Sequence, residues 1–253
     1  MLKIYKKSVI LSVIKGSQET IMVIAENEKL EKSVLAGVSC IAVPVEAFVT
    51  ANGDNVITSY SFCIDKAIEW ESRYGDDLLA EESVDWMKKE FSSVAEKIGY
   101  SYFESENEYM LEYIFVPGMQ LPKMPEGIKI HKISSNAVLA ELCRNSGCDI
   151  EIADDGEDVL LAVVENGIIL AYAGMNDIAY DDNSVEISVE TAPDCRRRGY
   201  GYACVAALTT YLIEKGITVR YKCSKENYKS SALCEKCNFK LEGRRFSFVC
   251  EKI

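Results

Sequence analysis

The sequence predicts an α+β (mixed α/β) protein: a twisted mixed sheet flanked by helices, preceded by a second α/β domain. Three observations carry the prediction. The chain has 253 residues, 48% of them apolar, enough to bury a full core and to make two domains of roughly 100–150 residues each. Between Pro117 and Gly127, the stretch PGMQLPKMPEG holds three of the five prolines and two glycines. That composition stops helices and strand ladders alike, so the domains are expected at 1–125 and 126–253. After the break, strand-like and helix-like patterns alternate in the order β-α-β-β-β-α-β-α-β-β.

In chain order, the opening KIYKKSVILSVIKG has an apolar core only from Ser8 to Ile14 before Lys15 interrupts it. No run reaches the roughly eighteen residues of a membrane span, so neither a membrane segment nor an export signal is expected. Ten scattered cysteines then read as reduced and mostly buried, and the expected compartment is the cytoplasm. Trp70, Tyr74, Trp86 and the acids of WESRYGDDLLAEESVDW either line an amine pocket or belong to a core, the commoner fate of aromatic residues at near-helical spacing. Ser92 to Phe115 parallels Ser231 to Ile253: a helix, Glu-Lys-x-Gly or Asn, an aromatic residue, then a hairpin, offset by 139 residues from Glu96 to Glu235. The N-terminal domain is therefore read as a decayed second copy that shapes the substrate site, or as a chance likeness.

In the C-terminal domain GIKIHKI reads as a strand, and SSNAVLAELCRNSG as a helix with a Ser cap and a terminal Gly. DVLLAVVENGIILAYAGMNDI reads as two strands around Asn166-Gly167, a strong hairpin signal, and SVEISVET as a further strand. GYACVAALTTYLIEKG is a helix, ITVRYKCS a strand, NYKSSALCEKC a short helix and FKLEGRRFSFVCEK a closing hairpin.

Net charge is −12, divided as −9 over Met1 to Glu126 (12 basic against 21 acidic) and −3 over Gly127 to Ile253 (16 against 19). Such a surface repels phosphate backbones, so nucleic acid is an unexpected partner, whereas a cationic amine is drawn in. No membrane partner is expected, and a homodimer is compatible with the sequence. Against that background, the basic run Arg196-Arg197-Arg198-Gly199-Tyr200-Gly201 is a local exception. Placed between a strand and a helix start, it offers backbone N–H groups, a positive helix terminus and glycines where backbone must approach closely, which together make an anion site. The alternative is a solvated basic turn.

VETAPDCRRRGYG resembles the acetyl-CoA signature of the GNAT acyltransferases, Arg/Gln-x-x-Gly-x-Gly/Ala after a strand and opening a helix, and NYKSSALCEKCNF resembles that family's second motif. The resemblance covers Gly127 to Ile253. It implies acetyl-CoA as co-substrate, with Arg196, Arg197, Arg198, Gly199, Tyr200 and Gly201 cradling its pyrophosphate. It also implies that the backbone of Val189, Glu190 and Thr191 pairs with the pantetheine arm, and that Asn227 contacts the cofactor. The implied reaction is direct attack of a small-molecule or peptide amine on the thioester, which needs a base, a donor to the developing oxyanion and an acid for the thiolate.

Glu186 and Glu190 alternate with Val185, Ile187 and Val189, so both carboxylates leave one face of a strand. Glu186 falls where many family members carry the base; Glu190 is the alternative, and both stand against the reading as ordinary sheet-face acids. The family's usual tyrosine acid falls seven residues after Asn227, at Cys234, a departure that leaves Cys234 as thiol acid, Tyr228 as substitute, or solvent. Cys234 and Cys237 form a lone Cys-x-x-Cys, and with His131 far off no metal site is expected. Besides an acetyltransferase, a catalytically silent acyl-CoA-binding module stays open.

Overall fold

The computed structural model describes residues 8–15, 18–26, 34–35, 39–105, 108–133, 160–180 and 182–253. The helix expected over 134–147 lies outside them. The described residues fall into two units, one drawn from Met1–Glu112, Cys223–Glu226 and Glu242–Ile253, the other from Tyr113–Lys222 and Asn227–Leu241. Among the described residues, no helix is long and apolar enough to cross a membrane.

The first unit holds β1 (Ser8–Lys15), β2 (Gln18–Glu26), β3 (Ile41–Thr50), β4 (Asn55–Ser59), helices α1 (Ile64–Tyr74) and α2 (Glu81–Lys97), and β5 (Tyr100–Tyr102). Its sheet is mixed, in the order β1-β2-β4-β3 followed by the last strand of the chain, β12 (Lys240–Lys252). β2 and β4 run parallel, and the other pairs antiparallel. Helix α2 forms because its apolar face repeats every four residues: Ser83, Met87, Phe91 and Ala95 are its buried positions. Trp70 of α1 is wholly buried beside Phe91, which in turn touches Phe248 of β12 (ring centroids 6.4 and 6.0 Å).

The indole of Trp70 donates to Ser83 Oγ at 2.8 Å, and that hydroxyl donates to the carbonyl of Leu78 at 2.8 Å. Ser83→Ala strands both groups in the core. The expected loss is about 1–3 kcal/mol of stability, measured by urea or thermal melting, because buried partners left unpaired lose their full hydration. In the same unit Arg245 of β12 lies between Glu112 and Glu46, over the ring of Phe48 (5.0 Å), with Ser247 Oγ donating to Glu46 at 2.8 Å. Burial opposes the charge on Arg245, but the two carboxylates outweigh it and raise the guanidinium pKa further.

The expected closing hairpin over residues 239–252 is instead one strand. Gly243 reads as a turn in sequence, yet it pairs with Thr50 inside the β12–β3 ladder. A side chain there would place its Cβ 2.5 Å from Phe48 Cζ, so the glycine makes room for a ring rather than for a turn. β5 likewise pairs with β12 and not with a hairpin partner in β6 (Tyr109–Phe115). Among the described residues, neither stretch folds as the hairpin that made the two look alike.

The second unit holds β7 (His131–Ile133), β8 (Leu160–Glu165), β9 (Ile168–Tyr180), β10 (Ser184–Thr191), α3 (Tyr200–Ile213), β11 (Thr218–Ser224) and α4 (Tyr228–Lys236). The strands lie in the order β11-β10-β9-β8-β7, with β10 and β11 parallel and the rest antiparallel. Asn166 and Gly167 both take left-handed backbone (φ 52° and 76°), as a two-residue hairpin turn of the predicted kind demands, and Glu165 pairs with Ile168 across them. Helix α3 packs across β8, β9 and β10 through Ala203, Cys204, Val205, Ala206, Leu208 and Leu212, all fully or almost fully buried. These small residues let the helix sit close to the sheet.

Candidate functional site

β10 and β11 pair only from Ser184–Glu186 to Thr218–Arg220, although β10 runs on to Thr191 and β11 to Ser224. Beyond Glu186 the parallel ladder stops. Ile187 to Thr191 therefore offer backbone groups on the β11 side that this ladder does not use. Paired residues of a parallel ladder share a face, so Val185 with Val219 lies on one side of the sheet and Glu186 with Arg220 on the other. Alternation puts Val189 and Thr191 on the first side, where α3 begins, and Ser188, Glu190 and Lys222 on the second.

At the end of β10 a short 3₁₀ turn, Pro193–Cys195, leads into the basic loop. Arg197 takes left-handed backbone (φ 65°), and Gly199, the residue capping α3, does the same (φ 84°). The first hydrogen bond of α3 runs from Ala203 N–H to Gly199 C=O at 2.9 Å, so the N–H groups before Ala203 have no acceptor within the helix. A Cβ on Gly201 would lie 2.8 Å from Thr191 Oγ1, which shows how closely the helix start approaches the strand end. Arg196 Nε donates to Thr191 C=O at 3.3 Å. Arg197 and Arg198 are exposed and make no ion pair among the described residues. Tyr200 Oη donates to Glu165 at 3.3 Å. Tyr202 Oη donates to Lys123 C=O at 2.8 Å, so the proline-rich stretch reaches the same helix start. The result is a concentration of donors and positive charge with its side chains kept short where a bulky anion would approach.

On the opposite face Glu186 is held from two sides. Asn176 Nδ2 donates to Oε1 at 3.1 Å, and Lys222 Nζ lies 3.2 Å from Oε2. The side chains of Glu186 and Lys222 are only 12% and 23% exposed. The β9–β10 register explains the approach of Asn176: Val185 faces Ala179 but Ile187 faces Met175, so Glu186 stands opposite three residues of β9. Glu190 accepts from Tyr172 Oη at 3.2 Å. Nearby, Arg220 pairs with Asp182 at 2.9 Å and donates to Ser184 Oγ at 2.9 Å. The hydrogen bonds from Ser184 and Arg220 outweigh burial and hold the Asp182 carboxyl below its ordinary range. Lys222, Asn176 and Tyr172 were invisible as site residues in the sequence. The only local hint of Lys222 was its alternation with Arg220 along TVRYKCS.

Asn227 caps α4, its side chain accepting from Ser230 N–H at 3.1 Å. Ser231, one turn later, shares a hydrogen bond of 2.6 Å with Tyr113 Oη. Tyr228 is 72% exposed, whereas Cys234 is fully buried. Burial pushes the Cys237 thiol up to about 12, with Lys236 opposing, so it stays a protonated packing group at neutral pH. Among the described residues no His, Cys, Asp and Glu gather where they would hold a metal ion. Cys234→Ala, read as loss of a packing group, is expected to cost on the order of 1 kcal/mol in thermal stability. Turnover should stay within about twofold, since a small buried residue removes no group from the reaction. A large rate loss in an equally stable variant would instead make the thiol an acid.

Among the described residues, the aromatic residues expected either in an amine pocket or in a core are packed against neighbouring side chains of the chain itself. Trp70 belongs to the core, and the ring of Trp86 is packed by Tyr74 (5.9 Å), Arg73 (5.2 Å) and Lys66 (5.7 Å).

Residues 134–239 match the sequence model of the acetyltransferase (GNAT) family. No curated protein matches the sequence. Among solved structures, similarity is found to a GNAT-family protein from Novosphingobium aromaticivorans (18% identity, TM-score 0.48), over 61% of this chain and 68% of that one. A GCN5-related N-acetyltransferase from Kribbella flavida is 15% identical (TM-score 0.42) over 63% of this chain and 62% of that one. A GCN5-related N-acetyltransferase-like protein from Streptococcus suis is 12% identical (TM-score 0.43) over 97% of this chain and 82% of that one.

Proposed function

We propose that the protein transfers the acetyl group of acetyl-CoA to a primary amine of a small cationic molecule or peptide by direct attack, a reading supported by the match of residues 134–239 to the acetyltransferase (GNAT) family model. The observation that carries this reading is the parting of β10 and β11 beside the basic, glycine-containing start of α3. Acetyl-CoA fits there in kind. Backbone N–H groups at the helix start and Arg196, Arg197 and Arg198 suit a pyrophosphate, and Gly199 and Gly201 keep side chains out of its way. The edge of Val189 to Thr191, which the β11 ladder does not reach, suits an amide-bearing arm laid alongside as an added strand. The co-substrate supplies an activated acyl carbon; the chain supplies orientation, a base and an oxyanion donor.

In this reading Glu186 accepts the proton of the incoming ammonium, directly or through water, once Asn176 or Lys222 yields one of its oxygens. Glu190, already bonded to Tyr172, is the second candidate base. The N–H of Val189, a residue beyond the end of the β11 ladder, polarises the thioester carbonyl. The N-terminal acidic excess draws the cationic acceptor. The full burial of Cys234 favours a rival reading, a silent acyl-CoA-binding module, since it removes the nearest family-like acid from reach. Thiol release from acetyl-CoA in a panel of primary amines separates the two. Amine-dependent release supports the enzyme, and a CoA-induced rise in melting temperature without release supports the sensor.

A further inference from the structure

Lys222 is a primary amine held at hydrogen-bonding range of the candidate base, which is itself oriented by a third side chain. Lys222 Nζ lies 3.2 Å from Oε2 of Glu186 and Asn176 donates to Oε1 at 3.1 Å, so an amine and a carboxylate able to take its proton are in direct contact. Its position adds to this. Counting on from the last parallel pair, Glu186 with Arg220, Lys222 stands across the parting from Ser188, beside the Val189 N–H assigned to the thioester carbonyl. It lies on the face of Glu186 and opposite the face where α3 begins. Lys222 thus offers a primary amine to the same carboxylate that the proposed reaction uses as its base.

We propose that Lys222 is a self-acetylation site: in the absence of a better acceptor, the domain transfers one acyl group from an acyl-CoA thioester to its own Lys222 Nζ. This rests on the acetyltransferase reading above. Glu186 takes one proton from the Lys222 ammonium, and the free nitrogen attacks the acyl carbon. The C–N bond forms as the C–S bond breaks, the nitrogen's second proton goes to the departing thiolate, and Glu186 returns its own to water. The products are an amide on Lys222 and free CoA thiol. An amide does not turn over, so the event happens once per chain; it removes a positive charge and releases one oxygen of Glu186 from its ion pair.

The test is to incubate the whole protein with isotopically labelled acetyl-CoA and no added amine, then to read intact mass and map the labelled peptide. One acetyl per chain on Lys222 is expected, at a rate independent of protein concentration. Glu186→Gln should slow labelling at Lys222 at least about tenfold while chemical acetylation of surface lysines stays unchanged. Lys222→Arg should remove the labelled site. If the protein turns over added amines but leaves Lys222 unlabelled, or if Glu186→Gln labels it equally fast, the inference is overturned alone. If Lys222 is labelled while no added amine is turned over, the inference stands and the external-acceptor reading falls. If neither is acetylated, both fall.

Discussion

Gly199→Glu is expected to abolish the rise in melting temperature that CoA gives the wild-type protein. At CoA about 1,000-fold above its Kd, linkage stabilises the native state by about 4 kcal/mol, a rise on the order of 10 °C for a protein of this size. Two effects of the substitution act together. Gly199 has φ 84°, where an L side chain is strained by about 1–2 kcal/mol, so the turn that aims the first N–H groups of α3 is distorted. The new carboxylate also stands at the positive end of the helix, where it takes the place of the anion and repels it. Gly199→Ala separates the terms, because it strains the turn without adding charge and should keep part of the rise. A full CoA response in Gly199→Glu, with the ligand-free protein still folded, would place the anion elsewhere.

Glu186→Gln is expected to slow turnover by about 10²–10⁴-fold at pH values where the acceptor amine is mostly protonated. At higher pH the deficit should shrink, because free amine becomes abundant and no proton need be removed before attack. Gln keeps the shape of the side chain and one acceptor oxygen, so Asn176 retains a partner, but the ion pair between residue 186 and Lys222 is lost. Melting the variant alongside wild type shows whether that loss unsettles the sheet. A rate loss that ignores pH would direct attention to Glu190 and its partner Tyr172.

The parts of this protein legible in its sequence are those specified by neighbours in the chain. Asn166-Gly167 makes its turn because both residues tolerate left-handed backbone, whatever surrounds them. The basic loop was legible for the same reason: arginines, glycines, a strand before and a helix after are local facts. Gly243 misled because its neighbours cannot reveal Phe48, almost two hundred residues away, whose ring needs the space. The partners of Glu186 were hidden too. Lys222 reaches it through the parallel register of β10 and β11, and Asn176 through a register shift in β9, neither of which leaves a mark on the residues around Glu186.

The placement of β12 has a consequence for the order in which the chain assembles. Arg245, Phe246, Phe248 and Cys250 all serve the first unit: three fill its core, and one neutralises Glu46 and Glu112. They are translated only after the whole of Tyr113–Lys222. Until Glu242–Ile253 are made, β3 has β4 on one side but lacks β12 on the other, and Glu46 and Glu112 lack Arg245. All residues of the second unit, Tyr113–Lys222 and Asn227–Leu241, are synthesised before Glu242–Ile253 of the first. Synthesis runs from the N-terminus, yet completion runs the other way, and a chain stopped before Glu242 is cut short in the unit that was begun first.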